Sequence, residues 1–394
     1  MKKDFMFTSE SVTAGHPDKL CDQISDAILD RCLQQNPKSR AIVESAVSAA
    51  ILFLAARFDA DLSIDFTTIA REVIDSVGYH RTSFSGKNCS ILSSLDEMSP
   101  ENNFDESQLS DAEIEQITAR DQATVFGFAC DQTPVLMPIP IWLAHQLARR
   151  LHEVQLQNIL PYLSPDGKTL VGVEYQNREP KRIHSITILA SQNDPAAASL
   201  KQLRDDIRQT VVEPVFAEQT IQPDRDTRIY INPEGLLSPG GPEVHAGLTG
   251  RKNAIDTYGE YAKHSGAALS GKDPTRIDRV GAYAARYAAK NVVAANLARE
   301  CEVQLSYSLG LSRPVSIQVE TFATGKISEE EIARRLEQHF EFRLAGIIKQ
   351  LQLRSRPSLS EDGFFRKLAA YGHVGRSDLD LPWEMTDRVD CLQD

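Results

Sequence analysis

The sequence predicts an α+β fold of two or three domains. Segments that alternate apolar and polar residues, as half-buried strands do, are mixed with segments of helical periodicity. The two kinds do not follow each other strictly, as they would in a doubly wound parallel sheet, and this favours helices packed on one side of each sheet. At 394 residues, the chain is too long for one ordinary hydrophobic core.

The N-terminal part is predicted to begin with a long helix over residues 16–37. Pro17 suits the first helical position, Leu20 and Ile24 recur at helical spacing, and a second proline closes the segment. The apolar segment that follows, residues 40–58, is predicted to form one strand or two paired strands.

Residues 99–116 are polar, acidic and nearly free of side chains that could join a core. We expect this segment to be a mobile gate loop, since few apolar contacts would hold it in place. Ser110 and Glu113 have the spacing of a capping box, which predicts a short helix at the end of the loop.

From residue 181 onward, the chain is predicted to contain four strands and a second long helix. The helix covers residues 277–298, where Val280, Tyr283 and Tyr287 fall on one face. The strands follow from alternating or β-rich segments. They cover residues 181–191, 227–233, 301–311 and 315–322.

Composition excludes several classes of protein. The net charge of −12 makes the chain a poor general binder of nucleic acid, so a bound polyanion must be small and met by a local group of cations. The sequence has no run of 18 apolar residues and no apolar signal segment at its start, so neither a membrane span nor secretion is expected. Six cysteines without Cys-x-x-Cys spacing indicate reduced thiols, and we expect a cytoplasmic protein.

The motif "GHPDK" places charged side chains at the start of the first predicted helix. His16 lies where free N–H groups and the helix dipole favour an anion. Asp18 could hold Mg²⁺, and Lys19 adds positive charge. By itself the motif is more often only a turn into a helix.

Two further motifs end small-residue turns in cations. "GLTGRK" ends in Arg251 and Lys252, and "SGKDP" contains Lys272, with Asp278 shortly after it. The second motif lacks the spacing of a P-loop. Any one of these lysines is more often a solvated surface residue. Together with the carboxylates, however, they predict a site for a triphosphate and Mg²⁺.

Seven segments carry a resemblance to one known family: "FTSESVTAGHPDKLCDQISDAILD", "DQATVFGFA", "VLMPIPIWLAHQLARRL", "SPDGK", "GLTGRKNAIDTYG", "SGKDPTRIDRVGAYAARYAAKNVVAANLA" and "AAYGHVGR". From about residue 7 to residue 383, the chain resembles the S-adenosylmethionine synthetases, also called methionine adenosyltransferases. The resemblance implies three similar sheet-plus-helix domains related by pseudo-threefold symmetry. We place them at residues 5–101, 117–235 and 236–384, with interleaving in space allowed. It also implies a homodimer or homotetramer with active sites between subunits.

The family reaction explains why so many cations are needed. A thioether sulfur attacks C5′ of ATP and expels the triphosphate, which is then cleaved to phosphate and diphosphate. Such a leaving group requires lysine, arginine and Mg²⁺ directed at it. The matching motifs imply that His16, Lys168, Arg251, Lys252 and Lys272 act on the triphosphate, that Asp166 and Ala268 contact the nucleotide, and that Asp121 lies by the adenosine and the developing sulfonium. They further imply that Asp18 and Asp278 hold Mg²⁺ and that Glu44 binds K⁺.

Five of the positions that depart from the family pattern bear on the substrates or the gate. Arg57 and His245 replace two carboxylates that face the amino group of methionine, and the carboxylate replaced by His245 also faces the ribose of ATP. Met98 replaces a glutamine of the gate, and Leu237 stands where an aromatic residue stacks on adenine. Arg276 replaces the lysine that binds the methionine carboxylate and keeps its charge. The phosphate and metal side chains are thus kept, while the amino-acid and adenine contacts are rewritten.

The sequence therefore predicts an adenosyltransferase that joins ATP to methionine or to an altered thioether. Two alternatives remain open, a nucleotide-binding regulatory paralogue and a tripolyphosphatase with little adenosyl transfer. Retention of the phosphate-side residues argues against an inert scaffold, because drift would not spare that side alone.

Overall fold

The computed structural model describes residues 4–59, 61–80, 84–98 and 104–393. Over these ranges the chain forms eleven strands in three sheets, with helices packed against each sheet. The α+β class expected from the sequence is therefore confirmed. In the same ranges, no helix has both the length and the apolar character needed to cross a membrane.

The strands begin close to the N-terminus and continue through most of the chain. They are β1 Phe5–Val12, β2 Ala41–Ser48, β3 Ile51–Asp59, β4 Ser90–Met98, β5 Ala123–Cys130, β6 Leu163–Gln176, β7 Glu179–Gln192, β8 Arg228–Ile231, β9 Gly247–Leu248, β10 Glu300–Tyr307 and β11 Ser316–Glu320. The apolar segment 40–58 forms two strands, β2 and β3, and these pair antiparallel. The four strands predicted from residue 181 onward are confirmed as β7, β8, β10 and β11.

The helices range from single turns to five turns. They are α1 Pro17–Gln35, α2 Phe66–Ser76, α3 Asp111–Ile114, α4 Ile139–Leu156, α5 Leu200–Ile207, α6 Glu213–Ala217, α7 Asn253–Asp256, α8 Ile277–Ala294, α9 Glu329–His339, α10 Leu344–Leu351, α11 Phe365–Leu368 and α12 Val389–Gln393. The two long helices predicted from apolar periodicity are confirmed as α1 and α8.

Each sheet combines strands from two of the three expected domain ranges. The strand orders are β1-β6-β7-β8, β11-β10-β5 and β4-β3-β2-β9. Strand β1 thus joins strands of the central range, β5 joins strands of the C-terminal range, and β9 joins strands of the N-terminal range. Each range thus gives one strand to the sheet of the next, and this cyclic exchange connects the three ranges. The domain boundaries themselves stay predictions.

One long helix lies on each sheet. Helix α4 packs on β1 and β6, α8 packs on β5 and β10, and α1 packs on β2 and β9. The apolar side chains between α4 and its sheet form one core, and those around α1 and α8 form a second, larger core. Because α1 lies in the larger core, its side chains contact segments that are distant in the sequence.

The expected gate loop is described only from residue 104 onward. Its short helix α3 has the predicted capping box, with Ser110 and Glu113 each bonded to the backbone of the other. Three cations hold this part: Arg354 lies 3.1 Å from Glu106, Lys349 donates to a backbone carbonyl at 2.9 Å, and Arg343 lies 2.7 Å from Asp111. Ion pairs of the acidic side chains therefore hold this part of the loop, which has few apolar residues to pack into a core. Mobility of the whole segment stays a prediction.

Helix α1 carries four aspartates spaced four residues apart, which we call the aspartate ladder: Asp18, Asp22, Asp26 and Asp30. All four are buried on one side of the helix. Each accepts a hydrogen bond from the backbone N–H of a different segment that is distant in the sequence, at 2.8–3.0 Å. The donors are Leu248, Gly250, Gly271 and, for the last aspartate, both Phe365 and Arg366. The ladder thus fixes the C-terminal loops in order along α1.

Like charges four residues apart on a helix repel, so the ladder requires compensation. Arg279 of α8 forms a fully buried two-bond pair with Asp26, at 2.7 and 2.9 Å. Lys19 is equally buried between Asp22 and Asp256. Burial opposes the charge of this lysine, but the two carboxylates raise its pKa overall. Asp30 accepts the backbone N–H groups of Phe365 and Arg366, and burial raises its pKa to about 7.

The Asp26–Arg279 pair should therefore be essential for folding. We expect Arg279→Met to lower the free energy of unfolding by about 3–5 kcal/mol, because it leaves an unpaired carboxylate in the core. Adding Asp26→Asn should recover part of this loss, since the amide keeps an acceptor for Gly271 without the charge. Urea denaturation followed by circular dichroism measures both effects.

The matched control is Arg334→Met, which removes an exposed pair with Glu331 on α9. An exposed pair contributes little, so this variant should unfold at the same urea concentration as the unaltered protein. Equal shifts in the Arg279 and Arg334 variants would contradict the role given to the buried pair.

Candidate active site

The first group of candidate residues, the α1 cluster, lies at the N-terminus of α1 and comprises His16, Asp18, Asp166, His245 and Lys252. His16 caps the helix, and its Nδ1 accepts a hydrogen bond from the backbone N–H of Asp18 at 3.2 Å. Burial lowers the pKa of His16 to about 3, although the Asp166 and Asp18 carboxylates oppose this shift. The imidazole is therefore neutral near pH 7 and carries its hydrogen on Nε2.

Asp166 and His245 form the opposite side of the α1 cluster. Asp166 Oδ2 lies 3.0 Å from His245 Nε2 and accepts the N–H of Gly241 at 2.9 Å. Burial works against ionisation of Asp166, but the His245 hydrogen bond and the neighbouring histidines lower its pKa overall. The ring centres of His16 and His245 are 4.9 Å apart. The structure thus brings these three predicted residues together.

Asp18 connects the cluster to the "GLTGRK" turn. Its carboxylate accepts the Leu248 N–H at 3.0 Å, lies 3.1 Å from Lys252 Nζ and is 3.8 Å from Arg251 Nε. Burial raises the pKa of Asp18, but the hydrogen bond and charge of Lys252 outweigh it, and the net direction is downward. Both predicted cations of this turn therefore lie at the predicted carboxylate.

Close packing explains the glycines of this turn. A Cβ at Gly247 would lie 2.2 Å from the carbonyl carbon of Pro17, so only glycine lets the chain pass over the start of α1. Gly250 has a φ of 79°, and its missing Cβ leaves room for Ala268. Ala268, predicted to line the nucleotide site, thus packs against the turn that carries the cations.

The second group, the α8 cluster, lies at the N-terminus of α8 and comprises Asp121, Lys272, Arg276 and Asp278. Lys272 Nζ is 2.8 Å from Asp278 Oδ2, and Arg276 Nη2 is 3.1 Å from Asp121 Oδ2. Arg276 occupies the N-cap position of the helix. All four members were predicted from the sequence, and the structure pairs them into two ion pairs.

The two clusters lie apart within one chain. Leu248, beside the first cluster, pairs with Ala46 of β2, whereas Lys272 of the second forms a bridge to Ile42. Four residues of a strand separate these contact points, which corresponds to about 13 Å. The candidates therefore do not converge on a single point in one chain.

Glu44 and Arg57 lie on the outer face of the β4-β3-β2-β9 sheet. Glu44 is exposed on β2, where its carboxylate is open to solvent. Arg57 is exposed on β3 and lies 3.3 Å from Asp96, its direct neighbour on β4. Asp166, and not Arg57, is the partner of His245, so the two departures from the family pattern do not contact each other within a chain.

Three further candidates lie at the edges of the site. Lys168 is exposed on β6. The positive charge of its ammonium group helps to lower the pKa of His16. Met98 is the last residue of β4, directly before the gate segment. Leu237 is half-buried, and its carbonyl accepts the N–H of Gln192 at 2.8 Å.

The donor chemistry of the two clusters fits Mg²⁺. Asp18 and Asp278 each present carboxylate oxygens, which Mg²⁺ prefers, and each currently faces one lysine ammonium. Glu44 offers an oxygen ligand of the kind that K⁺ takes. These residues could hold the two ions that the family resemblance implies.

Sequence reasoning missed the lower three members of the aspartate ladder. Asp22, Asp26 and Asp30 position the two cation-bearing turns and the C-terminal segment without facing the clusters. The available signal was an aspartate at every fourth position of an amphipathic helix. Such a repeat is unfavourable on an exposed helix surface, and so it indicates buried partners.

Comparison with known proteins identifies the family. Models of the S-adenosylmethionine synthetase N-terminal, central and C-terminal domains match residues 4–100, 116–237 and 239–385. The S-adenosylmethionine synthase of Gloeothece citriformis is 47% identical over 100% of this chain and 98% of its own length. Those of Trichormus variabilis and Thermosynechococcus vestitus are also 47% identical, over 100% and 99% of this chain and 97% of each relative. The chain belongs to the S-adenosylmethionine synthetase family.

Proposed function

We propose that this chain is an ATP-dependent adenosyltransferase that acts on a thioether, either methionine or an altered one. The thioether sulfur bonds to C5′ of ATP, the C5′–O bond breaks, and the triphosphate leaves. Water then cleaves the triphosphate to phosphate and diphosphate. The observation that carries the proposal is the pair of lysine–aspartate contacts at two helix N-termini, Lys252–Asp18 and Lys272–Asp278.

These two contacts are suited to an exchange of partners. In the free chain, each carboxylate is neutralised by one lysine. On binding of ATP, the lysines turn to the phosphate oxygens, while Asp18 and Asp278 become available to hold Mg²⁺. Mg²⁺ held by these two carboxylates would supply positive charge to the departing triphosphate. The clusters thus supply positive charge where negative charge develops.

His16 is suited to stabilise the leaving oxygen. It accepts the Asp18 N–H at Nδ1, and so its Nε2 hydrogen is free to be donated. The low pKa of His16 keeps the imidazole neutral near pH 7. It can therefore donate the Nε2 hydrogen without first losing a proton. Asp166 and Lys168 lie beside it for contacts with the ribose and phosphates.

A second copy of the chain would bring the separated clusters together. The sheet face opposite α1 carries an apolar row, Leu92–Phe53–Ala46–Leu248, that runs directly across all four strands. Its three larger members are 44–55% exposed, which is unusual for a solvated surface. We infer that this face forms a homodimer or homotetramer contact. Glu44 and Arg57 lie on the same face and so would reach the partner's site.

The rewritten positions bear on the thioether. His245 replaces a carboxylate that faces the substrate's amino group in the family, and Arg57 replaces another. Asp96 lies beside Arg57 and offsets part of its positive charge. Asp121 pairs with Arg276, so one carboxylate remains near the expected amino-acid end. We propose that methionine is bound more weakly than a thioether without an ammonium group.

The phosphate role of the lysines is tested by Lys252→Ala and Lys272→Ala. Each should lower the rate of adenosyl transfer by about 10²-fold or more, as loss of a preorganised charge does. Phosphate and adenosylated product are measured separately with ATP, Mg²⁺ and methionine. Lys201→Ala, at an exposed position of α5, is the control and should keep full activity. Phosphate release without adenosylated product in the unaltered protein would instead indicate a tripolyphosphatase.

A site built from two chains predicts complementation. Each of the two lysine variants alone should be nearly inactive, whereas co-expressed chains form mixed dimers with one intact site and one doubly altered site. Random pairing makes half of the dimers mixed, so about a quarter of full activity should return. Purification through two different tags isolates the mixed dimer. A mixed dimer as inactive as its parents would show that both clusters must lie in the same chain.

The role of position 245 is tested by His245→Asp, which restores the carboxylate of the family. The preference for methionine over its deaminated analogue should rise by roughly tenfold or more, because about 1.4 kcal/mol of ion pairing corresponds to that factor. The ratio of kcat/KM for the two thioethers measures it. If the unaltered protein and the His245→Asp variant both strongly prefer methionine over the deaminated analogue, and to the same degree, methionine is an ordinary substrate of this protein.

A further inference from the structure

We propose that His16, Asp166 and His245 form a binding site for a divalent transition-metal ion such as Zn²⁺, distinct from the Mg²⁺ and K⁺ positions. One ligand atom of each residue lies within 4.8 Å of the other two. Two imidazole nitrogens and a carboxylate oxygen suit Zn²⁺, Co²⁺ or Ni²⁺, whereas Mg²⁺ prefers oxygen ligands alone. In the described ranges, this is the one group of three or more such side chains at that spacing.

The buried carboxylate supplies an independent indication of a missing ligand. Asp166 is only 7% exposed, and its Oδ2 is occupied by the Gly241 N–H and His245. Its Oδ1 is enclosed and has no hydrogen-bond partner among the residues that the structure describes. A buried carboxylate oxygen without a partner is costly and calls for an explanation. The lone pairs of this oxygen are therefore available to a cation.

The two histidines complete the site with small movements. Bonds from nitrogen or oxygen to zinc are about 2 Å long, so the three ligand atoms must draw closer. The His245 side chain is 34% exposed and can move, whereas His16 and Asp166 are buried and fixed. Ligation through His16 Nε2 moves its hydrogen to Nδ1, so the hydrogen bond from the Asp18 N–H to Nδ1 is lost, and Asp18 Oδ2, 3.9 Å from Nδ1, becomes the acceptor of that hydrogen. Carboxylates commonly take this hydrogen in metal sites.

Occupancy by such an ion would exclude the nucleotide. The metal-binding form of His16 has no hydrogen on Nε2 and cannot donate to the leaving oxygen. Asp166 and His245 are likewise proposed nucleotide contacts. The ion would therefore be an inhibitor, and this consequence rests on the proposed function, whereas the metal site itself does not. The family pattern has an aspartate at position 245, so the second histidine ligand is particular to this chain.

The test is a titration of the chelator-treated full-length protein with Co²⁺, in the absence of ATP. We expect one equivalent to bind and to produce a visible absorption band. His245→Gln keeps the size of the side chain and a hydrogen bond to Asp166 but removes a nitrogen ligand. It should weaken Co²⁺ binding by about tenfold or more. His80→Ala, at an exposed histidine outside the cluster, should bind Co²⁺ as the unaltered protein does.

The outcomes separate this inference from the proposed reaction. Absence of the band at one equivalent, or equal Co²⁺ affinity in the His245→Gln variant and the unaltered protein, overturns the metal site whatever the enzyme activity. A band that persists unchanged in excess ATP overturns the inhibitory consequence. Displacement of Co²⁺ by ATP supports both. Adenosyl transfer is measured separately, so its failure leaves the titration result intact.

Discussion

The aspartate ladder of α1 is the constraint on which the rest of the structure depends. Four buried carboxylates accept backbone N–H groups from positions 248, 250, 271 and 365–366. A carboxylate accepts several hydrogen bonds at once and is costly to bury unless it does so. The helix therefore holds the loops strongly and in a fixed order. Asp18, the first aspartate of the ladder, lies in the candidate site. Its cationic partner there is Lys252, whereas Asp22 and Asp26 pair with the buried cations Lys19 and Arg279.

Much of the fold followed from periodicity. The spacing of Leu20 and Ile24 predicted α1, and the alternation in residues 301–311 predicted β10, because one face of each element is buried against one core. The exchange of strands between sheets could not be predicted in this way. Pairing of β1 with β6 or β9 with β2 depends on contacts between distant segments, which no local pattern records.

The sequence motifs named the members of the two clusters, whose roles stay predictions, but did not predict how they are arranged. His16, Asp166 and His245 are in contact, but the α1 and α8 clusters are separated within the chain. Sequence motifs specify the types and the order of the residues. The distance between the two clusters depends instead on the aspartate ladder and on the register of the strands. The capping box at Ser110 was found because it is local. The anchoring of the acidic segment by Arg354 was missed because its partner lies some 250 residues away.

The cyclic exchange of strands has a consequence for how the protein is made. Strand β1 leaves the ribosome first, yet its partner Tyr175 is synthesised 170 residues after Phe5. The sheet of the N-terminal range likewise waits for residues 247–248 of the C-terminal range. The N-terminal range therefore can pair neither β1 nor the edge of β2 during its own synthesis, whereas the sheets of the central and C-terminal ranges need only strands made earlier. Co-translational folding is thus postponed, and unpaired strand edges stay accessible to chaperones until most of the polypeptide has emerged.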